Sequence, residues 1–306
     1  MSLGPLAIKN SFQYLLIQSG AARPKLGDGS AINWSYGIAD GSSNVATGTY
    51  TNVVGGLSNT ASGGYSFIGG GYANTVSVNN GVVAGGGYNT VSGNASAIVG
   101  GVFNDANASF CFVGAGYDNG ASGSYSSVVG GSNNGASGSY SSVVGGGNNK
   151  VTGTASFIGG GELNGVYGDN SSIVGGSSHT ASGAASFIGG GISNVANGDY
   201  SAIVGGVFND IDSSATYSSI LGGLRSIISS GHSGATVISD GQNRDHTSKG
   251  PNTCSLDFAS GVYLRLPAFT GSSSQAGNSG ELKISGAFLY IATGSNLWGR
   301  MPISTF

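Results

Sequence analysis

Charged side chains are scarce in this chain. Its 306 residues include ten Lys and Arg and thirteen Asp and Glu, 8% of the total, where ordinary soluble domains carry about 25%. With a formal net charge of −3 and no Lys/Arg cluster, it lacks the basic footprint that a nucleic-acid backbone requires. Cysteine is nearly absent, and Cys111 and Cys254 are too few for a disulfide framework. No apolar run approaches the roughly 18 to 20 residues of a membrane-spanning helix. The opening MSLGPLAIKNSFQYLLIQSG has its one cation, Lys9, in the wrong place and too short an apolar core for a secretion signal. With three His at no ligand spacing, neither a metal nor another cofactor is expected.

What the chain has is glycine, 60 residues of it, together with ample Val, Ile, Phe and Tyr. That apolar content is not the signature of disorder, and the glycines are periodic. ASGSYSSVVGGSNNG (residues 121–135) is followed directly by ASGSYSSVVGGGNNK (residues 136–150). Anchoring on the Asn near the end of each copy gives Asn44, Asn59, Asn74, Asn89, Asn104, Asn119, Asn134, Asn149, Asn164, His179, Asn194 and Asn209, twelve slots at an unbroken spacing of fifteen.

A fixed period dictates architecture. Fifteen residues are too few for a helical repeat or a propeller blade, and they suit one turn of a parallel β-solenoid with two short strands and two tight turns. The stretch S-[F/S]-[I/V]-[V/G] is β-branched and aromatic, as a strand should be. The Gly-Gly after it and the later Ser-Gly are turn chemistry. The fold expected is therefore all-β, about twelve coils, each bonded to the next. The repeated Asn predicts a stacked amide ladder through Asn59, Asn74, Asn89, Asn104, Asn119, Asn134 and Asn149, interrupted at His179. Cys111, in a slot mostly filled by Ser, reads as a small residue tolerated inside the coil.

One pattern goes beyond the period. Where the slot seven before Asn is Phe67, Phe112, Phe157 or Phe187, the slot five before is Gly; where the first is small or polar, the second is Val, as at Val129 and Val144. Residues two apart on a strand share a face, so bulk is traded within that face, and volume compensation marks a packed surface. The alternate positions form a Val/Ile column from Val53 to Ile203 that suits the coil interior. Two packed faces on one strand predict a partner outside the coil, which we read as further copies of the chain.

Catalysis finds little support. Hydrolysis of a glycan generally takes two carboxylates across a cleft, and Asp105, Asp118, Glu162, Asp169, Asp199, Asp210 and Asp212 fall mostly where turns favour Asp. His232, Asp240 and His246 compose a Ser-His-Asp set only on paper. There is no G-G-x-G-x-D calcium array and no Lys-Ser/Thr after a glycine loop. No enzyme is expected.

The unit ASGSYSSVVGGGNN resembles the repeat of the head domain of YadA-type trimeric adhesins, over residues 43–214, with a period of fifteen in place of the family's usual fourteen and no stalk or membrane anchor. The runs of SFIGGG…N.ASG type are also similar to bacteriophage tail-fibre and virion appendage proteins, as is the C-terminal GELKISGAFLYIATGSNLWGRMP. The resemblance implies a left-handed roll, three chains side by side, a place on a virion reached without a signal peptide, and attachment to tail or baseplate proteins through the N-terminus.

Composition divides the chain into an N-terminal segment (1–42), the solenoid (43–230) and a C-terminal β domain (231–306) with strands at 262–266, 281–285 and 288–292. Eight charged residues lie in 43–214, against ten in the last 92 residues. Recognition hot spots favour Trp, Tyr and Arg, so Tyr263, Arg265, Tyr290, Trp298 and Arg300 are the candidates for contact with a host-surface glycan or protein. The function these readings predict is a structural fibre or adhesin. The alternatives are an ice-binding or purely structural solenoid and a glycan-cleaving tailspike.

Overall fold

A computed structural model describes residues 38–39, 41–241, 245–258, 282–285, 288–294 and 297–302, and the N-terminal segment before residue 38 lies outside them. The chain forms two units, 1–259 and 260–306. The first is a parallel β-solenoid of about fourteen coils, two more than the Asn slots announce. A fifteen-stranded sheet runs from Ile38–Ala39 to Cys254–Asp257, and a fourteen-stranded one from Val45–Ala46 to His246–Thr247. Pairing joins identical slots of successive repeats, such as Ser127 with Ser142 and Val128 with Val143. Backbone N–H groups donate one coil onward, Val129 to Val143 at 3.0 Å for example. A third line of isolated bridges runs from Ser42 to Leu224, which the two-strand reading did not anticipate.

The coils persist where the sequence pattern fades. Ser226 takes the Asn slot after seventeen residues and pairs with His246 after twenty more. The pairing continues past residue 230 to Asp257, because strand stacking needs only backbone and an apolar inward residue, here Ile228 and Val237.

The interior is narrow and filled by four columns. Val53, Ile68, Val83 and their successors line one sheet, and Ala46, Ala61, Val76 and theirs the other, all fully buried. The other two are polar: the Asn column, and a buried Ser column that holds Ser66, Ser96, Ser126 and Ser156 with Cys111 among them.

Each turn brings coils so close that Gly138 has no room for a Cβ against the carbonyl of Gly153, while Gly131, at φ +93°, is held left-handed. The sequence marks the Gly-Gly and Ser-Gly pairs as the turns. Beyond them, two non-glycine residues per coil sit near φ +52° to +62°, among them Tyr125, Tyr140, Phe103 and Phe110. Each costs roughly 1–2 kcal/mol relative to right-handed backbone. The coil holds them because their N–H groups find carbonyls in the preceding coil, Tyr140 to Ser124 at 2.9 Å and Phe103 to Gly87 at 3.1 Å.

The second unit contains an antiparallel sheet of Leu282–Ser285, Phe288–Gly294 and Leu297–Pro302. Two of its strands match those expected near 281–285 and 288–292. The third was not anticipated, and the strand expected at 262–266 lies outside the described residues.

Candidate functional site

The Asn ladder is present: from Asn59 to Asn104 each Nδ2 donates to the preceding Asn Oδ1 at 3.0–3.2 Å, and the side chains also bond backbone. Asn134 Nδ2 donates to the carbonyls of Gly130 (3.0 Å) and Gly146 (2.9 Å), in its own coil and the next. Its Oδ1 accepts the backbone N–H of Asn149 at 3.0 Å. Asn59, Asn74, Asn89, Asn104, Asn119 and Asn149 repeat this arrangement. Each side chain thus bonds three backbone groups at the tight corner, two of them, such as Gly130 O and Asn149 N–H, with no backbone partner. His179 does not interrupt the chain of bonds. Its N–H donates to Asn164 Oδ1, and its Nδ1 accepts from Asn194 N–H, both at 3.0 Å. Nε2 is buried toward Gly191 without closing a hydrogen bond of good geometry. Burial holds the His179 pKa below its ordinary value.

The Ser column is a second ladder that the sequence reading passed over. Ser171 Oγ donates to Gly183 O at 2.8 Å and accepts Ser186 N–H at 3.0 Å. Cys111 fits this role, its thiol donating to Gly123 O at 3.2 Å. The signal was the Ser at a fixed place in each repeat.

The two sheets present contrasting outer faces. On the fourteen-stranded sheet the outward slots hold Thr60, Thr75 and Thr90 beside Ser62, Ser77 and Ser92, then Asp105, Lys150 and Asp210. Burial raises the Asp105 carboxyl, the Thr90 hydroxyl opposes that, and Asp118 adds to it. Asp210 is likewise raised by burial, then by Asp212. On the fifteen-stranded sheet the outward slots carry no charged residue from Asn52 to Leu221. Phe67, Phe112, Phe157 and Phe187 are 36–39% exposed there, and Val129 and Val144 are 50% and 45% exposed.

The exchange of Phe and Gly for Ser and Val is resolved within the chain. A Cβ on Gly69, Gly159 or Gly189 would lie 3.4–3.5 Å from Cε1 of the Phe two residues earlier, and would also strike the carbonyl of the next coil. These Phe rings therefore lie along their own glycines, in the space that Val fills elsewhere. The trade keeps the face level, and it does not by itself demand a partner, contrary to the expectation from sequence.

Aromatic rings stand along both corners. Phe110, Tyr125 and Tyr140 stack at 4.7 and 4.9 Å within 7° of parallel, and Tyr50–Tyr65 and Tyr200–Tyr217 continue the same slot. Tyr72, Tyr88, Phe103 and Tyr117 line the other corner. A hydrogen bond with Tyr72 raises the Tyr88 hydroxyl above its ordinary value.

Among the remaining candidates, His246 is buried between Asp257 (Nδ1 to Oδ2 2.8 Å) and Asp240 (Nε2 to Oδ1 3.6 Å). His232 Nδ1 is 2.7 Å from the nearly buried Ser248 Oγ. His232, Asp240 and His246 thus belong to two separate sets, and the hydroxyl beside His232 is turned inward. Tyr263 and Arg265 lie outside the described residues. Tyr290 and Arg300 are direct partners across two strands, with Trp298 two residues from Arg300.

Among the described residues no group of three or more His, Cys, Asp or Glu could hold a metal ion, and no helix is long and apolar enough to cross a membrane. No protein-family model matches the chain, and no curated protein matches it either.

Proposed function

We propose that the chain is a structural subunit of an adhesive fibre, in which copies pack side by side along the fifteen-stranded sheet and the solenoid acts as a spacer. The observation that carries this reading is the level, charge-free apolar face along one side of a coil whose other sheet is polar. Single exposed apolar side chains are ordinary, whereas a contiguous patch of this size marks an interaction surface. At 36–39% exposure and roughly 150–250 Å² per aromatic side chain, the four Phe alone expose on the order of 300 Å² per chain, and the six Val of the exchange, 45–55% exposed, extend the patch toward one partner's share of a standard interface. Three chains are the number implied by the adhesin-head resemblance, and a bacteriophage tail fibre or similar virion appendage is the setting implied by the fibre resemblance. In that setting the N-terminal segment joins tail or baseplate proteins. The C-terminal unit, with Tyr290, Trp298 and Arg300, meets a host-surface glycan or protein.

The ice-binding alternative has less behind it. Ranks of Thr over Ser extend for only three coils before Asp105 takes the slot. Light scattering on the full chain at micromolar concentration tests the assembly: a mass of two or more chains, three by the resemblance, is expected, and a folded monomer overturns the reading.

A further inference from the structure

The slot four before the Asn is Gly in ten of the eleven coils from Gly55 to Gly205, the exception being Ala115. Other glycine columns have reasons inside the chain, a left-handed φ or a carbonyl where Cβ would sit. This one lacks both at Gly55, Gly85, Gly100, Gly145, Gly160 and Gly175, where φ is not positive and an added Cβ meets nothing within 4 Å. Ala115 shows that a side chain fits. The outward slot that begins each strand of the fourteen-stranded sheet, open in the same way at Gly120 and Gly135, varies among Thr, Asp, Gly, Lys and Val. A surface strip that stays bare where its own fold would accept a side chain is the mark of another surface approaching the backbone closely.

The opposite edge of the same face has the complementary feature. The left-handed slot six residues after the Asn, or eight after Asn209, holds Tyr or Phe in seven of twelve coils. Asn or Gly would adopt that backbone more readily, yet these aromatics are 45–68% exposed. Each strand runs from this edge to the bare strip, as in Tyr140-Ser141-Ser142-Val143-Val144-Gly145. Because all strands are parallel, the aromatics stand in groups along one long side of the apolar face and the glycine groove runs along the other.

We infer that the aromatic rib of one copy seats on the glycine strip of the next, so that all copies point the same way around an axis parallel to the solenoid. The inference rests on the self-assembly proposed above and specifies its contacts. Rib-to-groove pairing joins two different edges, and closing it by rotation gives a cyclic assembly. The occupant is another copy of this chain because the groove and the rib, whose aromatics stand in three groups at Tyr50–Tyr65, Phe110–Tyr140 and Tyr200–Tyr217, border the same sheet, with no charge between them to select a different partner.

Site-directed cross-linking tests it. In a Cys254→Ser background, which removes the exposed native thiol, the double variant Tyr140→Cys/Gly145→Cys is oxidised mildly and run without reductant. Five extended residues separate the two positions by roughly 15 Å, beyond the roughly 7 Å between Cα atoms that a disulfide spans, so a bond between them joins two chains. Covalent oligomers are expected from the double variant, with neither single variant giving them. A wild-type chain that assembles while the double variant stays uncross-linked overturns the rib-and-groove contact and leaves self-assembly standing. A wild-type chain that is monomeric sinks both. As a second readout, Gly145→Leu/Gly160→Leu has open space in its own coil, so it is expected to keep the far-UV dichroism of the wild type and run as a monomer. Unchanged assembly in that variant counts against the contact.

Discussion

His179 shows how closely the corner specifies hydrogen-bonding roles. The slot needs an acceptor for the next coil's N–H, and a neutral imidazole with its proton on Nε2 supplies one at Nδ1. Burial lowers its pKa from the ordinary 6.5, so the folded coil resists a proton that the unfolded chain accepts. Stability from this source is intact above pH 6.5 and is lost as pH falls through 6.5 toward the lower folded value. His179→Asn should therefore raise the melting temperature, by a margin that widens between pH 7.5 and pH 5; a margin independent of pH would refute the linkage. Asn134→Ala removes an acceptor and two donations at once. With unsatisfied buried groups costing about 1–3 kcal/mol each, a loss of roughly 3 kcal/mol or more is expected in chemical denaturation, and a smaller one for Asn134→His. The Asn repeat was legible in the sequence. Its backbone partners were not, because most of them come from a chain segment one full coil away.

At the scale of a strand, two adjacent residues distinguish the inner from the outer face. Ile158 is fully buried, and Phe157 beside it is 37% exposed in a single chain. Ile158→Ala should cost about 2–5 kcal/mol whatever the assembly state. Phe157→Ala should cost about 3–5 kcal/mol per chain only if another copy covers the face; a loss below about 1 kcal/mol alongside a normal Ile158→Ala value would mean that the face is open to water. The alternation of buried and outward slots was readable from β-strand periodicity, and so was the volume exchange. That Phe157 settles over Gly159 within its own chain depended on the backbone path at the glycine, which periodicity does not encode.

At the scale of the molecule, fifteen strands spaced about 4.8 Å apart make a solenoid on the order of 65 Å long, which electron microscopy of residues 1–259 should resolve as a rod. The same fragment, the first of the two units, is expected to assemble as the full chain does while losing adsorption to host cells. Adsorption equal to that of the full chain would place recognition on the solenoid. The period of fifteen, the Val/Ile inward column from Val53 to Ile203 and the absence of charge on one face were determined by the sequence itself, because each coil repeats one local pattern and hydrophobic periodicity reports directly on which apolar slots face inward. Tertiary structure alone decided which residues become left-handed at the corners, how Asn, Ser and His carry bonds from coil to coil, and where stacking ends. Those outcomes depend on carbonyls, N–H groups and free space supplied by the neighbouring coil, so that Tyr140 near φ +59° and a bare Gly145 acquire meaning only once the coils are stacked.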